Sequence, residues 1–151
     1  MAAKSARYLL AAAAVGVLAG CSADELAFSD VCSAEDDSKV AAVGYFELPS
    51  AVVCSIHNSE EGSDTRCNMD FVDEPGAEYG NPEHQFALYV REGNGDSTIE
   101  VTGPGYEESD VTIRFDDGSV VEWGDKVRIT GWVKTLYGGC SFDVGKIEPA
   151  G

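Results

Sequence analysis

Most of the chemistry open to this chain lies in five cysteines, Cys21, Cys32, Cys54, Cys67 and Cys140. Cys21 stands directly behind an apolar run and poses a separate question, which leaves an even set of four. Outside the cytoplasm four such thiols oxidise to two bridges by default, with three pairings open. Cys54 and Cys67 flank the polar stretch 57–65 almost symmetrically, as cross-strand partners in a hairpin do. Their pairing is therefore expected, and Cys32 with Cys140 follows by elimination. That second bridge closes a long loop and should stabilise by about 4–5 kcal/mol in the chain-entropy model. A zinc site would have to combine Cys54, His57 and Cys67, with His84 as a further ligand. No Cys-x-x-Cys pair is present to begin one. No cofactor is expected.

Other catalytic chemistry is weakly supported. His57 and His84 fall in or beside expected loops, and the chain has no Gly-x-Ser-x-Gly, His-Glu-x-x-His or Ser-x-x-Lys pattern. No catalytic residue is singled out, and the chain reads as a non-enzyme. A carboxylate pair could hydrolyse a glycoside, but 27 acidic residues supply many accidental pairs. Asp116-Asp117-Gly118 and Gly93-Asn94-Gly95-Asp96 could offer oxygens to calcium, yet neither reproduces the Asp-x-Asp-x-Asp-Gly loop. Turn chemistry accounts for both.

Lys4 and Arg7 precede the apolar stretch 8–19, which ends in Leu18-Ala19-Gly20-Cys21. A positive start, about 7–15 apolar residues and small residues before a cut mark a secretory signal peptide. The stretch is too short for a transmembrane helix, which needs about 20 apolar residues to cross about 30 Å of hydrocarbon. An ordinary signal peptide with Cys21 as an incidental thiol is the alternative. With the cysteine directly after the cut, the segment resembles the bacterial lipoprotein family, whose Leu-Ala-Gly-Cys lipobox is matched by residues 18–21 without departure. The resemblance covers the first 21 residues. It implies a diacylglycerol on the Cys21 sulfur, an acylated (palmitate-type) N-terminus and a membrane partner reached through that lipid. Two or more acyl chains hold a protein stably, at about 0.8 kcal/mol per buried methylene. The localisation implied is the cell envelope. In a Gram-negative cell, Ser22 in place of Asp favours the outer membrane, reached through the periplasm.

Cleavage after residue 20 leaves 131 of the 151 residues, one domain by length. It removes Lys4 and Arg7, so 8 basic residues face 27 acidic ones and the net charge becomes −19. Nucleic acids are held chiefly by Lys and Arg on phosphates, so no nucleic-acid partner is expected. Anionic lipid heads are disfavoured for the same reason. An envelope protein or a glycan remains open as partner, and the acid surface also serves solubility.

The elements that must position these residues are short strands. Residues 21–37 are polar and acidic apart from Leu26, Ala27, Phe28 and Val31, and read as a tether, its second half pinned by Cys32. Residues 38–151 form the domain. Strands are expected over 40–48, 51–56, 66–72, 84–91, 98–102, 126–134 and 140–148, with a hairpin joining 110–115 to 119–123 across Asp116-Asp117-Gly118. Helix is limited to one turn within 104–109. Many short strands with tight turns argue for an all-β sandwich or barrel.

The segment 119–148, SVVEWGDKVRITGWVKTLYGGCSFDVGKIE, resembles the closing strands of OB-fold domains: a Gly-Asp turn leads into Val-x-Ile-x-Gly-x-Val, and a last strand ends in Ile-Glu. Gly131 in one strand and Gly44 in another supply the sharp bends that coiling a barrel needs. The expected fold is a small five-stranded OB-like closed barrel with extra hairpin strands, stapled by disulfides; an immunoglobulin-like β-sandwich is the alternative. With Val127, Ile129 and Val133 inward, Arg128, Thr130, Trp132 and Lys134 point outward. The resemblance implies that such a face binds oligonucleotides or oligosaccharides, and Arg128, Trp132 and Lys134 are its candidate ligand-binding residues, extended by Tyr89 and Arg91. The alternative for Trp132 is packing beneath the tether or a loop. The functional expectation is a lipid-anchored, non-catalytic binding or scaffolding module. A small hydrolase using a carboxylate pair and a calcium-dependent adhesion module are the competing classes. Cys21→Ser is expected to move the protein from the membrane to the soluble fraction on cell fractionation; persistence in the membrane would refute the lipid anchor.

Overall fold

Alternation sets which side of each strand faces inward, and the computed structural model, which describes residues 22–135 and 138–151, follows it. Cys21 and its lipidation lie outside the described residues. In chain order the elements are β1 (Asp24–Glu25), a 3-10 segment (Phe28–Ser33), β2 (Lys39–Glu47), β3 (Cys54–Ser59), β4 (Gly62–Val72) and β5 (Gln85–Arg91). Then come β6 (Ile99–Val101), a 3-10 turn (Glu108–Asp110), β7 (Val111–Ile113), β8 (Val127–Lys134) and β9 (Ser141–Pro149). Cys67, Met69 and Phe71 of β4, Phe86, Leu88 and Val90 of β5, and Val127, Ile129 and Val133 of β8 are all buried. Their outward neighbours are polar or partly exposed, as a period of two requires.

The ladder closes on itself. β2 pairs antiparallel with β8 through residues 39–44 and with β4 through residues 45–47. β8 pairs antiparallel with β9, β9 runs parallel to β5, and β5 pairs antiparallel with β4. Five strands in the order β2-β8-β9-β5-β4 thus return to β2, making a closed barrel of the OB type. A sandwich would leave two separate sheets, so the immunoglobulin-like alternative falls. β3 extends the barrel as a hairpin with β4, and β6 pairs with β7 in a small second sheet.

Two glycines permit the closure. Gly44 sits where β2 passes from one partner to the other, and a Cβ there would collide with the Val72 carbonyl and lie 2.9 Å from the Phe71 ring. At Gly131 the β8–β9 register shifts, and a Cβ would strike the Asp143 carbonyl and lie 2.7 Å from the Phe142 ring. Inside, Phe46, Phe71, Phe86 and Phe142 form a chain of rings with centroids 5.6–6.0 Å apart, within the range of favourable aromatic contacts.

Both bridges pair as the sequence implies. Cys54 stands directly opposite Cys67 in the β3–β4 ladder and is bonded to it, and Cys32 is bonded to Cys140 across 108 residues.

Three expectations are corrected. The segment 21–37 is not a free tether from Asp24 onward. β1 lies parallel on β2, Phe28 packs 4.8 Å from the Phe86 ring, and Val31 is fully buried. Its few apolar side chains gain more from the barrel than from water. The hairpin between 110–115 and 119–123 shrinks to a single bridge, Arg114 to Val120, beside which the Val121 N–H donates to the Ile113 carbonyl at 2.9 Å. The second strand begins at Cys54 rather than residue 51, since Val52 turns inward and donates its N–H to the Gly105 carbonyl.

Gly131→Ala should cost about 1–3 kcal/mol of stability by overpacking, visible as a lower urea midpoint. Gly95→Ala, with nothing within 4 Å of the added Cβ, should leave that midpoint nearly unchanged.

Candidate functional site

β4 and β5 pair so that Arg66 lies directly across from Arg91. Cys67 and Val90 are buried, so both guanidinium groups project from the outer face of the barrel. Like charges opposed across a ladder are destabilising unless something neutralises them. Asp64 meets Arg66 Nε at 3.0 Å, and Asp143 on β9 lies 4.0 Å from Arg66 Nη1. That Nη1 atom is buried without a hydrogen-bond acceptor among the described residues. Arg91 forms no ion pair among the described residues. Its side chain reaches the Asp96 carbonyl at 3.5 Å, too far for a strong bond.

Lys134 joins this pair from the end of β8, its Nζ donating to Asp37 at 2.6 Å, a contact that raises its pKa. The tip of the β3–β4 hairpin completes an open cleft of about 530 Å³, lined by His57, Asn58, Ser59, Glu61, Gly62, Ser63, Asp64, Arg66, Arg91, Lys134 and Asp143. Three of the eight basic residues that remain after residue 20 therefore converge on one cleft of a strongly acidic domain. Asp64 and Asp143 both serve Arg66, which leaves Arg91 open to a ligand.

His57 rests over Tyr89 with ring centroids 5.3 Å apart, fixing the hairpin above β5. Its Nε2 lies 3.3 Å from Ser55 Oγ. Asp64, opposite His57 in the ladder, turns its carboxylate to Arg66 instead. Among the described residues no carboxylate hydrogen-bonds to His57, so this Ser–His contact lacks the third group that orients and charges a catalytic imidazole.

The outward residues of β8 face as expected, but they do not form one site. Arg128 donates to Glu25 at 2.9 Å and to Glu148 at 3.3 Å, holding β1 and β9. Trp132 is 38 % exposed and lies against Gly145, with Lys39 Nζ 5.3 Å from its ring centroid. Of Arg128, Trp132 and Lys134, only Lys134 lines the cleft. Arg91 belongs to it as well, whereas Arg66 was legible only as an outward residue at the start of an alternating strand. Its pairing with Arg91 depends on a register that alternation does not reveal.

The remaining candidates are structural. Cys54 and Cys67 are bonded to each other, so neither offers a thiolate to zinc. Ser119 donates through both its backbone N–H and its hydroxyl to Asp117, holding that carboxyl below the ordinary range, and Asp116 meets Lys146 at 3.1 Å. Both acids of that turn are thereby engaged. Asp70, farther along the face of β4, is pushed up by burial and by the charge of Glu47.

No family model matches the chain, and no curated protein matches it. The chain is similar to the OB domain of Ta0387 from Thermoplasma acidophilum, a solution NMR structure, at 14% identity over 74% of each chain with a TM-score of 0.39. The barrel described above is defined by its own ladder.

His84 lies away from the cleft. Its Nδ1 meets Asp73 at 2.6 Å and closes the loop over 73–84, and this hydrogen bond with the Asp73 charge raises the imidazole pKa. The contact stabilises fully below the unfolded histidine value of about 6.5 and fades as pH rises through the higher folded value. Asp73→Asn should bring the His84 titration, followed by proton NMR, back towards ordinary histidine. An unmoved titration would refute the pairing.

Proposed function

We propose that this chain is a lipid-anchored cell-envelope lipoprotein whose barrel is a non-catalytic binding module for an extracytoplasmic protein or glycan carrying a carboxylate. One observation supports it above the others: Arg66 and Arg91 face each other across β4 and β5, and Arg91 has no carboxylate partner among the described residues. An incoming carboxylate would give Arg91 the partner that Arg66 already has in Asp64, and Arg can hold such a group bidentately.

The same charges disfavour a polyanion. A single acidic group can sit between two guanidiniums, whereas a run of phosphates would meet the acid surface of a domain with a net charge of −19. Nucleic acid is therefore not the proposed partner. In this reading residues 1–20 are removed as a signal peptide, Cys21 carries the lipid, and the bridges Cys32–Cys140 and Cys54–Cys67 suit an oxidising compartment. The envelope is the site of action, at the outer membrane if the cell is Gram-negative.

The test is capture of acidic glycans and envelope proteins by the mature domain. Arg91→Ala should weaken capture about tenfold, the order expected for one charge-assisted hydrogen bond. Its melting temperature should stay the same or rise, because the mutation removes a like-charge contact. Added salt should weaken capture in parallel. Turnover of a bound glycan that Asp64→Asn abolishes would replace this reading with a hydrolase.

A further inference from the structure

Where the chain enters the barrel decides which wall of the barrel meets the membrane. β1 lies parallel on β2, with Asp24 opposite Val40 and the Leu26 N–H donating to the Ala41 carbonyl at 2.9 Å. Four further contacts hold this entry: Glu25 to Arg128 at 2.9 Å, Phe28 against the Phe86 ring, buried Val31, and the Cys32–Cys140 bridge. The first paired residue, Asp24, is three residues from Cys21. Three extended residues span about 10 Å, whereas a free tether of 17 would reach about 60 Å. Because β1 runs parallel to β2, the chain before Asp24 heads towards the Lys39 end of β2. There Lys39 pairs with Trp132 across the β2–β8 ladder, and Trp132 is one of the large hydrophobic side chains left exposed.

We propose that the β2–β8 wall carrying Lys39 and Trp132 rests on the surface of the bilayer in which the lipid of Cys21 is embedded. This rests on the lipid-anchor reading given above. The occupant of the wall is the zwitterionic headgroup layer. Tryptophan favours that layer because its ring is apolar and its N–H polar, and lysine reaches headgroup oxygens while its stem covers apolar surface. Of the acids at this end, Glu25 is paired with Arg128 and Asp37 with Lys134, while exposed Asp24 and Asp36 have no cation partner among the described residues and favour a zwitterionic over an anionic surface. The net charge of −19 disfavours anionic heads.

The anchored full chain in phosphatidylcholine vesicles tests this. In a Trp123→Phe background Trp132 is the remaining tryptophan. Its emission should shift to shorter wavelength and be quenched severalfold more by lipids brominated near the headgroup than in the Cys21→Ser form mixed with the same vesicles. A Trp132→Phe control should show no such difference. If mass spectrometry finds diacylglycerol on Cys21 while Trp132 emits as in the Cys21→Ser form, the wall contact is overturned and the anchor stands. If Cys21 carries no lipid, both fall together.

Discussion

β2 must bond to β8 along its first half and to β4 along its last three residues, and no residue with a side chain fits at the point between them. Gly44 meets that demand on β2, and Gly131 meets the matching one on β8, where the register with β9 slips. Closure removes strand edges from the five central strands and brings the faces with Phe71, Phe86 and Phe142 into one interior. Burial of these rings and their aliphatic neighbours supplies the stabilisation, at about 25 cal/mol per Å² of apolar surface. The core exists only because the ring of strands is complete.

The N-terminal segment depends on that closed surface. Its composition is that of a solvated linker, yet Phe28 and Val31 are enough to seat it once a barrel wall is there to receive them. Ion pairs from Glu25 to Arg128 and from Asp37 to Lys134 then spend two of the chain's few cations on holding acidic residues. Exposed pairs of this kind contribute little singly. Together with the Cys32–Cys140 bridge they fix where the chain leaves the barrel. This assigns Arg128 to anchoring rather than recognition.

The cleft follows from the opposite use of charge. Most basic residues here are matched with carboxylates, Arg66 among them, but Arg91, opposite it on the neighbouring strand, has no such partner among the described residues. Asp64 screens Arg66 from its neighbour, so the uncompensated charge of the pair lies on Arg91, and in the proposed reading a ligand carboxylate would complete it. His57 and the hairpin tip form the rim of the cleft, and Tyr89 supports them from below.

Much of this was legible beforehand because burial in strands has a period of two. Cys67, Met69 and Phe71 on β4 and Val127, Ile129 and Val133 on β8 announced their inward faces. Cys54 and Cys67 announced their pairing through the symmetry of the loop between them, and Gly44 and Gly131 announced bends by interrupting apolar strands. The sequence by itself thus determined most of the strands, their inward sides and the Cys54–Cys67 bridge, and favoured a barrel over a sandwich, since each depends on neighbours close in the chain or on a residue type with one special property. Tertiary structure alone decided that Arg66 faces Arg91, that Arg128 binds Glu25 and that the acidic start packs on the wall. Those contacts depend on the register of distant strands, and periodicity leaves that register open because it records which way a side chain points and never what stands opposite.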